Sequence, residues 1–223
     1  MQISDRDQQL LKKHLQLVLD ANEKVNITRI TSYESGMVLH VEDSLVGLNE
    51  VAAAPEGMLA DLGSGAGFPG IPLAIVTGRQ TLLVESVKKK ATCLTEFVDE
   101  LGLSSQVEVC ALRSEELAKA RPASCAVVVA RALSSLPSLM ELASPLLQEG
   151  GKLVCYKSGD VDEEIQASLP IQEKLAMYYE GKRDALLSDD ETRRSIIVFQ
   201  KKGEPTVKLP RHEGQAQKRP YRS

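Results

Sequence analysis

The feature that most limits what this chain can fold into is the stretch Leu59-Ala60-Asp61-Leu62-Gly63-Ser64-Gly65-Ala66-Gly67-Phe68-Pro69-Gly70-Ile71-Pro72-Leu73. The apolar run Met58–Leu62 predicts a short buried strand, four glycines follow within eight residues, and Ile71–Val76 predicts an apolar helix. Strand, glycine turn and helix in that order form a loop that cradles a nucleotide. Glycine serves there because the backbone turns through positive φ and a ligand approaches without a Cβ in the way. A dinucleotide fingerprint, G-x-G-x-x-G, needs glycine where Phe68 stands. What stands here is D-x-G-x-G-x-G, from Asp61 to Gly67. A tight turn with no ligand is the bland alternative, and it leaves the chain entropy lost at four glycines without a use.

Downstream, apolar and amphipathic segments alternate. Strands are predicted at Met58–Leu62, Thr81–Glu85, Val107–Cys110, Cys125–Ala130 and Lys152–Lys157, with helices at Ile71–Val76, Lys89–Leu101, Glu115–Ala120 and Ser135–Leu147. Ala126-Val127-Val128-Val129 lacks period-two alternation, as a strand covered on both faces should. Repeated β-then-α order predicts an α/β, doubly wound, mostly parallel sheet. Lys174–Tyr179 and Ser195–Gln200 read as an antiparallel edge hairpin, which brings the sheet to seven strands. Ahead of the sheet, Ser4–Ala21 has helical spacing at Leu10, Leu11, Leu15, Val18 and Leu19, and Ser32 is placed to cap a second helix over Tyr33–Leu48. The chain thus divides into a helical extension (1–54), a ligand-binding α/β unit (55–202) and a C-terminal tail (203–223), all one domain at 223 residues.

Composition narrows the class. A content of 43% hydrophobic and 26% charged residues is that of a globular protein, and no apolar run approaches the ~20 residues that span a bilayer. Met1–Asp5 lacks a basic-then-apolar leader pattern, so a cytoplasmic location is expected. Cys93, Cys110, Cys125 and Cys155 sit singly in apolar runs and predict core residues, with neither disulfides nor a metal site. The net charge of −4 conceals an asymmetry: residues 201–223 hold seven bases against Glu204 and Glu213, net +5, leaving −9 on residues 1–200. A concentrated basic tail attracts phosphates locally, since screening acts over about 8 Å; a solubilising tail is the alternative.

Ligands of such sheets bind beyond the carboxyl ends of the strands, and polar residues stand at those ends here. Glu85 lies twenty residues after Gly65, the offset of an acid that pairs with ribose hydroxyls. After the third strand, Ser114 suits a helix cap and Glu115 and Glu116 suit its first turn, with contact to the adenine end of a cofactor as the other reading. Arg131, directly after a buried strand, needs either an anionic ligand or an internal carboxylate. Lys157 adds a second cation at that rim. His40 and Asp43 predict a local network on one helical face, and Asn26 the closure of the loop before it.

Assembled, these residues resemble the RsmG (GidB) family of bacterial 16S rRNA methyltransferases over nearly the whole chain. The matching pieces are Asn26-Ile27-Thr28, His40-Val41-Glu42-Asp43-Ser44-Leu45, the Asp61–Leu73 loop, Glu85-Ser86 with Lys89-Lys90, Val129-Ala130-Arg131-Ala132, and Pro210-Arg211-x-x-Gly214 with Lys218 and Pro220. The resemblance implies a class I, Rossmann-like fold that binds S-adenosyl-L-methionine (AdoMet) through Gly63, Phe68, Ser114, Glu115 and Arg131, and the glycine turn and second strand end add Asp61, Gly65 and Glu85 to the expected cofactor-binding residues. It implies methyl transfer to N7 of a guanine in a small-subunit rRNA loop near the decoding region. N7 carries an unprotonated lone pair, so no general base is expected, and Arg131 would position the reactants. Lys157, Arg211, Lys218 and Arg219 would face RNA, and the partner would be 16S rRNA or the assembling small subunit, met by a monomer without metal. Departures from the family are modest: Lys90 in place of the usual arginine, Cys93 in place of a larger apolar residue, and Ser158 between Lys157 and Gly159. The rival readings are a small-molecule methyltransferase, a nicotinamide dehydrogenase and a non-catalytic RNA-binding module.

Overall fold

The computed structural model describes residues 3–222. Seven strands form one sheet in the order β3-β2-β1-β4-β5-β7-β6. The first five run Met58–Leu62 (β1), Thr81–Val84 (β2), Val107–Cys110 (β3), Cys125–Arg131 (β4) and Leu147–Lys157 (β5). They are mutually parallel, with Asp61 level with Leu83 on one side and Val129 on the other. Chain order reverses between β1 and β4, so the loops leaving these two strands meet above the sheet, at the place where such folds bind ligands.

Helices cover both faces, which is why β1, β2 and β4 are apolar along nearly their whole length. Helix α5 (Gly70–Thr77) is apolar all round and buried, while α6 (Lys88–Glu100) buries only Ala91, Cys93, Leu94, Phe97 and Val98. On the other face, Leu117 and Ala118 of α7 (Ser114–Ala120) and Leu136, Leu139, Met140 and Leu142 of α8 (Leu136–Ala143) close the larger core. The four cysteines are free and buried. Among the described residues no helix is long and apolar enough to cross a membrane.

The N-terminal extension packs on the α5–α6 side. Ser4 caps α1 (Asp5–Asn22) by accepting from the Asp7 N–H, and Leu11, His14, Leu15 and Val18 point inward. Ser32 caps α2 (Tyr33–Gly36) as expected. The single helix expected over Tyr33–Leu48 is instead interrupted. A widened π-type turn, Met37–Glu42, separates α2 from α3 (Asp43–Leu45), and α4 (Leu48–Ala52) follows after Gly47. The wide turn swings both His40 and Asp43 toward the sheet, where their partners lie.

Beyond β5 the boundaries also move. Helices α9 (Asp162–Ser168) and α10 (Gln172–Leu175) precede an edge hairpin of β6 (Met177–Leu186) and β7 (Arg193–Lys201), and it is β7 that pairs with β5. The charged stretch Lys182-Arg183-Asp184, expected between strands, is itself strand, because β6 is the sheet edge and largely open to solvent. The C-terminal residues also fold back. Val207, Leu209, Ala216 and Tyr221 pack on the larger core, and α11 (Gln215–Lys218) lies against α8.

Candidate active site

The loop after β1 is built by two buried acids. Asp61 Oδ2 accepts the Gly70 N–H at 2.9 Å, tying the strand end to the first turn of α5. A Cβ on Gly70 would stand 2.6 Å from that oxygen and 2.5 Å from Leu83, so only glycine fits. Burial pushes the Asp61 carboxyl up to about 7, and its Oδ1 has no partner among the described residues. Glu85, expected to meet ribose hydroxyls, holds the loop from β2: Oε2 accepts the Gly65 N–H at 3.0 Å and Oε1 the Val87 N–H at 2.7 Å. Each oxygen keeps a further acceptor site. Gly63 has φ +72°, and a Cβ there would lie 2.7 Å from Leu133, the close approach of the β1 and β4 loops.

Those loops, with the loops after β2 and β3, border a cavity that opens to solvent and is lined by Gly63, Ser86, Ser114, Glu115, Leu133 and Gln217, among others. The structure therefore brings Gly63, Ser114 and Glu115 into one wall, with Gly65 and Glu85 beside it. Ser114 does not cap α7 as expected. Arg113 occupies the cap position with its N–H donated to Glu116 at 3.0 Å, which leaves the Ser114 hydroxyl without a partner among the described residues. Glu115 is buried, and its Oε1 accepts the Gly214 N–H at 2.7 Å from the returning C-terminal segment.

Phe68 and Arg131 lie alongside this cavity rather than in its lining. The Phe68 ring is covered on both faces by His14 and His40, with ring centres 4.3 and 4.5 Å away. Burial pulls the His14 imidazole down to about 3, and it stays neutral beside the Ala66 carbonyl, 3.0 Å from Nε2. Arg131 finds the internal carboxylate that its position demanded. Nη1 donates to Asp43 at 2.7 Å and to the Leu39 carbonyl at 3.1 Å, and Nη2 donates to His40 Nδ1 at 3.3 Å. Burial first and Arg131 second bring His40 down to about 4, and its Nε2–H is then directed at Thr28 Oγ1, 2.8 Å away. The His40–Asp43 network is thus real but not local, since it closes on β4. Asn26 does not shut the preceding loop. Asn22 does so, accepting the Ile27 and Thr28 N–H groups at 2.9 and 3.0 Å.

Sequence reasoning missed three further participants. Arg194 of β7 grips Asp43 from the other side at 2.6 and 2.9 Å, leaving one buried carboxylate between two guanidiniums. Its only signal was a basic pair ahead of a strand. Glu141, the one charged position in an otherwise mostly apolar helix, holds Arg211 through both carboxylate oxygens. Gln217 carried no signal at all. Of the four basic residues expected to face RNA, Lys157 is paired with Glu164 at 2.7 Å and donates to the Ser134 carbonyl, and Arg211 is committed to Glu141. Lys218 and Arg219 stand exposed at the end of α11.

A family described as "GidB: rRNA small subunit methyltransferase G" matches residues 7–183. A "Ribosomal RNA small subunit methyltransferase G" of Alkaliphilus metalliredigens is 34% identical, covering 99% of this chain and 93% of its own. One of the same description from Streptococcus sanguinis is 31% identical, covering 99% and 94%. Among solved structures, geranyl diphosphate C-methyltransferase from Streptomyces coelicolor A3(2), in complex with Mg2+, geranyl diphosphate and S-adenosyl-L-homocysteine, superposes with a TM-score of 0.56 at 12% identity, over 72% of this chain and 77% of that one. The [4+2]-cyclase SpnF superposes with a TM-score of 0.57 at 13% identity, over 74% and 80%. These likenesses establish the fold, and a cyclase among them shows that the fold alone does not choose the chemistry.

Proposed function

This chain belongs to the GidB family, rRNA small subunit methyltransferase G, and on that premise we propose that it transfers a methyl group from AdoMet to N7 of one guanine in 16S rRNA. The observation that carries the reading is the cavity at the switch point of the sheet, where Gly63, Ser114 and Glu115 share a wall beside the Asp61–Gly67 turn. The residues present suit AdoMet. Asp61 fixes the turn from within the core, the bare backbone at Gly63 admits close approach, and the free Ser114 hydroxyl with the second oxygen of Glu115 faces the nucleoside end. AdoMet would supply an electrophilic methyl on a sulfonium.

What the chain contributes is alignment. Guanine N7 needs no proton removed, and Ala130-Arg131-Ala132-Leu133 after β4 holds no Asn/Asp-Pro-Pro-aromatic sequence of the kind that serves exocyclic amines. Arg131 is unsuited to proton transfer because its guanidinium stays charged. Held by Asp43, His40 and the Leu39 carbonyl, it keeps its Nε–H and one Nη2–H to orient what enters between the β1 and β4 loops. Of the four basic residues named above, Lys218 and Arg219 are exposed and can meet phosphate, whereas Lys157 and Arg211 order the surface that presents them.

The test is methyl transfer from labelled AdoMet to small-subunit particles that lack the modification, followed by mapping of the labelled base. Label on N7 of a single guanine is expected, and Gly63→Val should abolish it by placing a branched side chain at φ +72° against Leu133. Label on an exocyclic amine, or none on any particle, overturns the assignment.

A further inference from the structure

We propose that Gln217 recognises the adenine of the cofactor, and that the C-terminal segment carrying it is a structural wall of the cofactor cavity rather than a tail. This inference rests on the AdoMet reading above. Sequence offers no hint of it, because Gln217 lies 154 positions after Gly63 in a four-residue helix. Yet its side chain lines the same cavity as Gly63, Ser114 and Leu133.

The segment around it is fastened at nearly every second residue. Arg211 makes a two-pronged pair with Glu141, itself 2% exposed, and also donates to the Arg219 carbonyl at 2.8 Å. Glu213 pairs with Arg113 at 3.7 Å, on the loop leaving β3. The Gly214 N–H is held by Glu115, and Ala216 is buried against the core. Tyr221 stacks over the Arg211 guanidinium at 4.1 Å, and Lys174 donates to the Arg222 carbonyl at 3.2 Å. Every one of these contacts fixes the backbone that carries Gln217. The Gln217 amide itself makes no hydrogen bond among the described residues, so the fold gives it no task of its own.

Its chemistry supplies one. A carboxamide presents a carbonyl acceptor beside an amino donor, the pairing that answers the amino group and neighbouring ring nitrogen of adenine. No other side chain of the lining carries donor and acceptor side by side on one plane. Val84, Leu112, Leu133 and Leu142 give flat apolar contact, and one Glu115 oxygen is already taken by Gly214. Apolar walls with a few convergent polar groups are how small-molecule sites set orientation. The anchors at 113 and 115 sit where the chain passes from β3 into α7, so the segment is tied to residues that themselves line the cavity.

Titration calorimetry of the full chain with S-adenosylhomocysteine tests this, alongside the thermal midpoint without ligand. Gln217→Ala and Gln217→Leu should each weaken binding about tenfold, the scale of one neutral hydrogen-bonding group lost. Both should leave the unliganded midpoint where it was, because the residue is exposed. Unchanged affinity in both variants, with the parent chain binding normally, overturns the inference and leaves the AdoMet reading standing. Loss in the alanine variant alone overturns the recognition of adenine by the amide, since leucine keeps the wall and removes only the polar pair. A parent chain that does not bind S-adenosylhomocysteine defeats the AdoMet reading itself, and the inference with it.

Discussion

The rim of the sheet is gripped from two sides by segments outside it, and the two grips are made of different material. On the N-terminal side the helical extension reaches β4 through a buried carboxylate, Asp43, 1% exposed and set between Arg131 and Arg194, with His40 completing the cluster. On the C-terminal side the last residues reach α7 and α8 through one backbone N–H on Glu115 and one guanidinium on Glu141. The first grip is a charge cluster whose parts have no alternative partners once the protein is folded. The second has a single buried pair, Glu141 with Arg211, and is otherwise a succession of modest contacts along a strap that is mostly exposed. Buried charge makes a geometry hard to leave and expensive to damage, whereas a strap of small contacts can tune what lies beneath it without deciding whether the chain folds. On this view the N-terminal grip sets stability and the stance of Arg131, and the C-terminal grip sets ligand recognition.

The largest expected effect breaks the first grip. Asp43→Ala leaves two largely buried guanidiniums facing each other, and loss of one partner from such a cluster costs about 3–5 kcal/mol. Denaturant unfolding should show the midpoint falling with little change in slope. A loss under about 1 kcal/mol, the range of exposed pairs, would erase the contrast between the two grips.

A second, somewhat smaller effect is a dependence on acid. His14 and His40, held down at about 3 and about 4, are neutral in the folded protein at pH 5, while in the unfolded chain, with an ordinary value of 6.5, both are mostly protonated. Asp61 acts in the opposite sense. Raised to about 7 from 3.8, it keeps a proton when folded that the unfolded chain releases, so its contribution is complete in acid and fades as pH climbs toward 7. Near pH 5 the unfolded chain therefore holds about one proton more, and stability should fall there by about 1.4 kcal/mol for each pH unit lost, the slope flattening as pH approaches 6.5. His14→Gln removes one of the two imidazoles and should bring that slope close to zero between pH 5 and 6, as followed by urea unfolding. A variant as acid-sensitive as the parent would mean that burial of His14 is not what couples this face to pH.

How far the sequence disclosed this arrangement follows from the range of each interaction. The glycine turn, the buried strands and the alternation that orders them are local patterns, and they led to the right sheet. The hairpin was recognised but its first strand was placed too early, because an edge strand carries charges such as Lys182 and Arg183 that read as a turn. The break in the second helix was invisible, since a widened turn keeps helical spacing while rotating His40 and Asp43 out of register with it. Asp43 meets Arg131 across 88 positions and Glu115 meets Gly214 across 99, distances over which periodicity says nothing. Ser114 misled for a local reason: a serine beside two glutamates looks like a cap, yet the chain enters α7 one residue earlier, at Arg113. That shift by one position is what turns the Ser114 hydroxyl from a structural group into one that is free for a ligand.

The smallest effect sharpens the division within the C-terminal strap itself. Arg211, Lys218 and Arg219 look alike in sequence, but Arg211 is spent on Glu141 while the other two side chains are exposed beyond Gln217. If the free pair meets backbone phosphate, replacing both Lys218 and Arg219 by alanine should lower the slope of log affinity against log salt by about two and weaken binding of small-subunit RNA several-fold at ordinary ionic strength. Arg211→Ala should do something different in kind. It leaves Glu141 buried without its cation, so the cost appears as lost stability of the strap and weaker S-adenosylhomocysteine binding, with the salt slope unchanged. The two variants together separate charge that faces outward from charge that holds the wall in place. Should the Lys218 and Arg219 replacements leave the salt slope untouched, α11 would be a fastening only, and RNA would have to be met by other cations, with the exposed Lys88 and Lys89 at the start of α6 the next on the same rim to change.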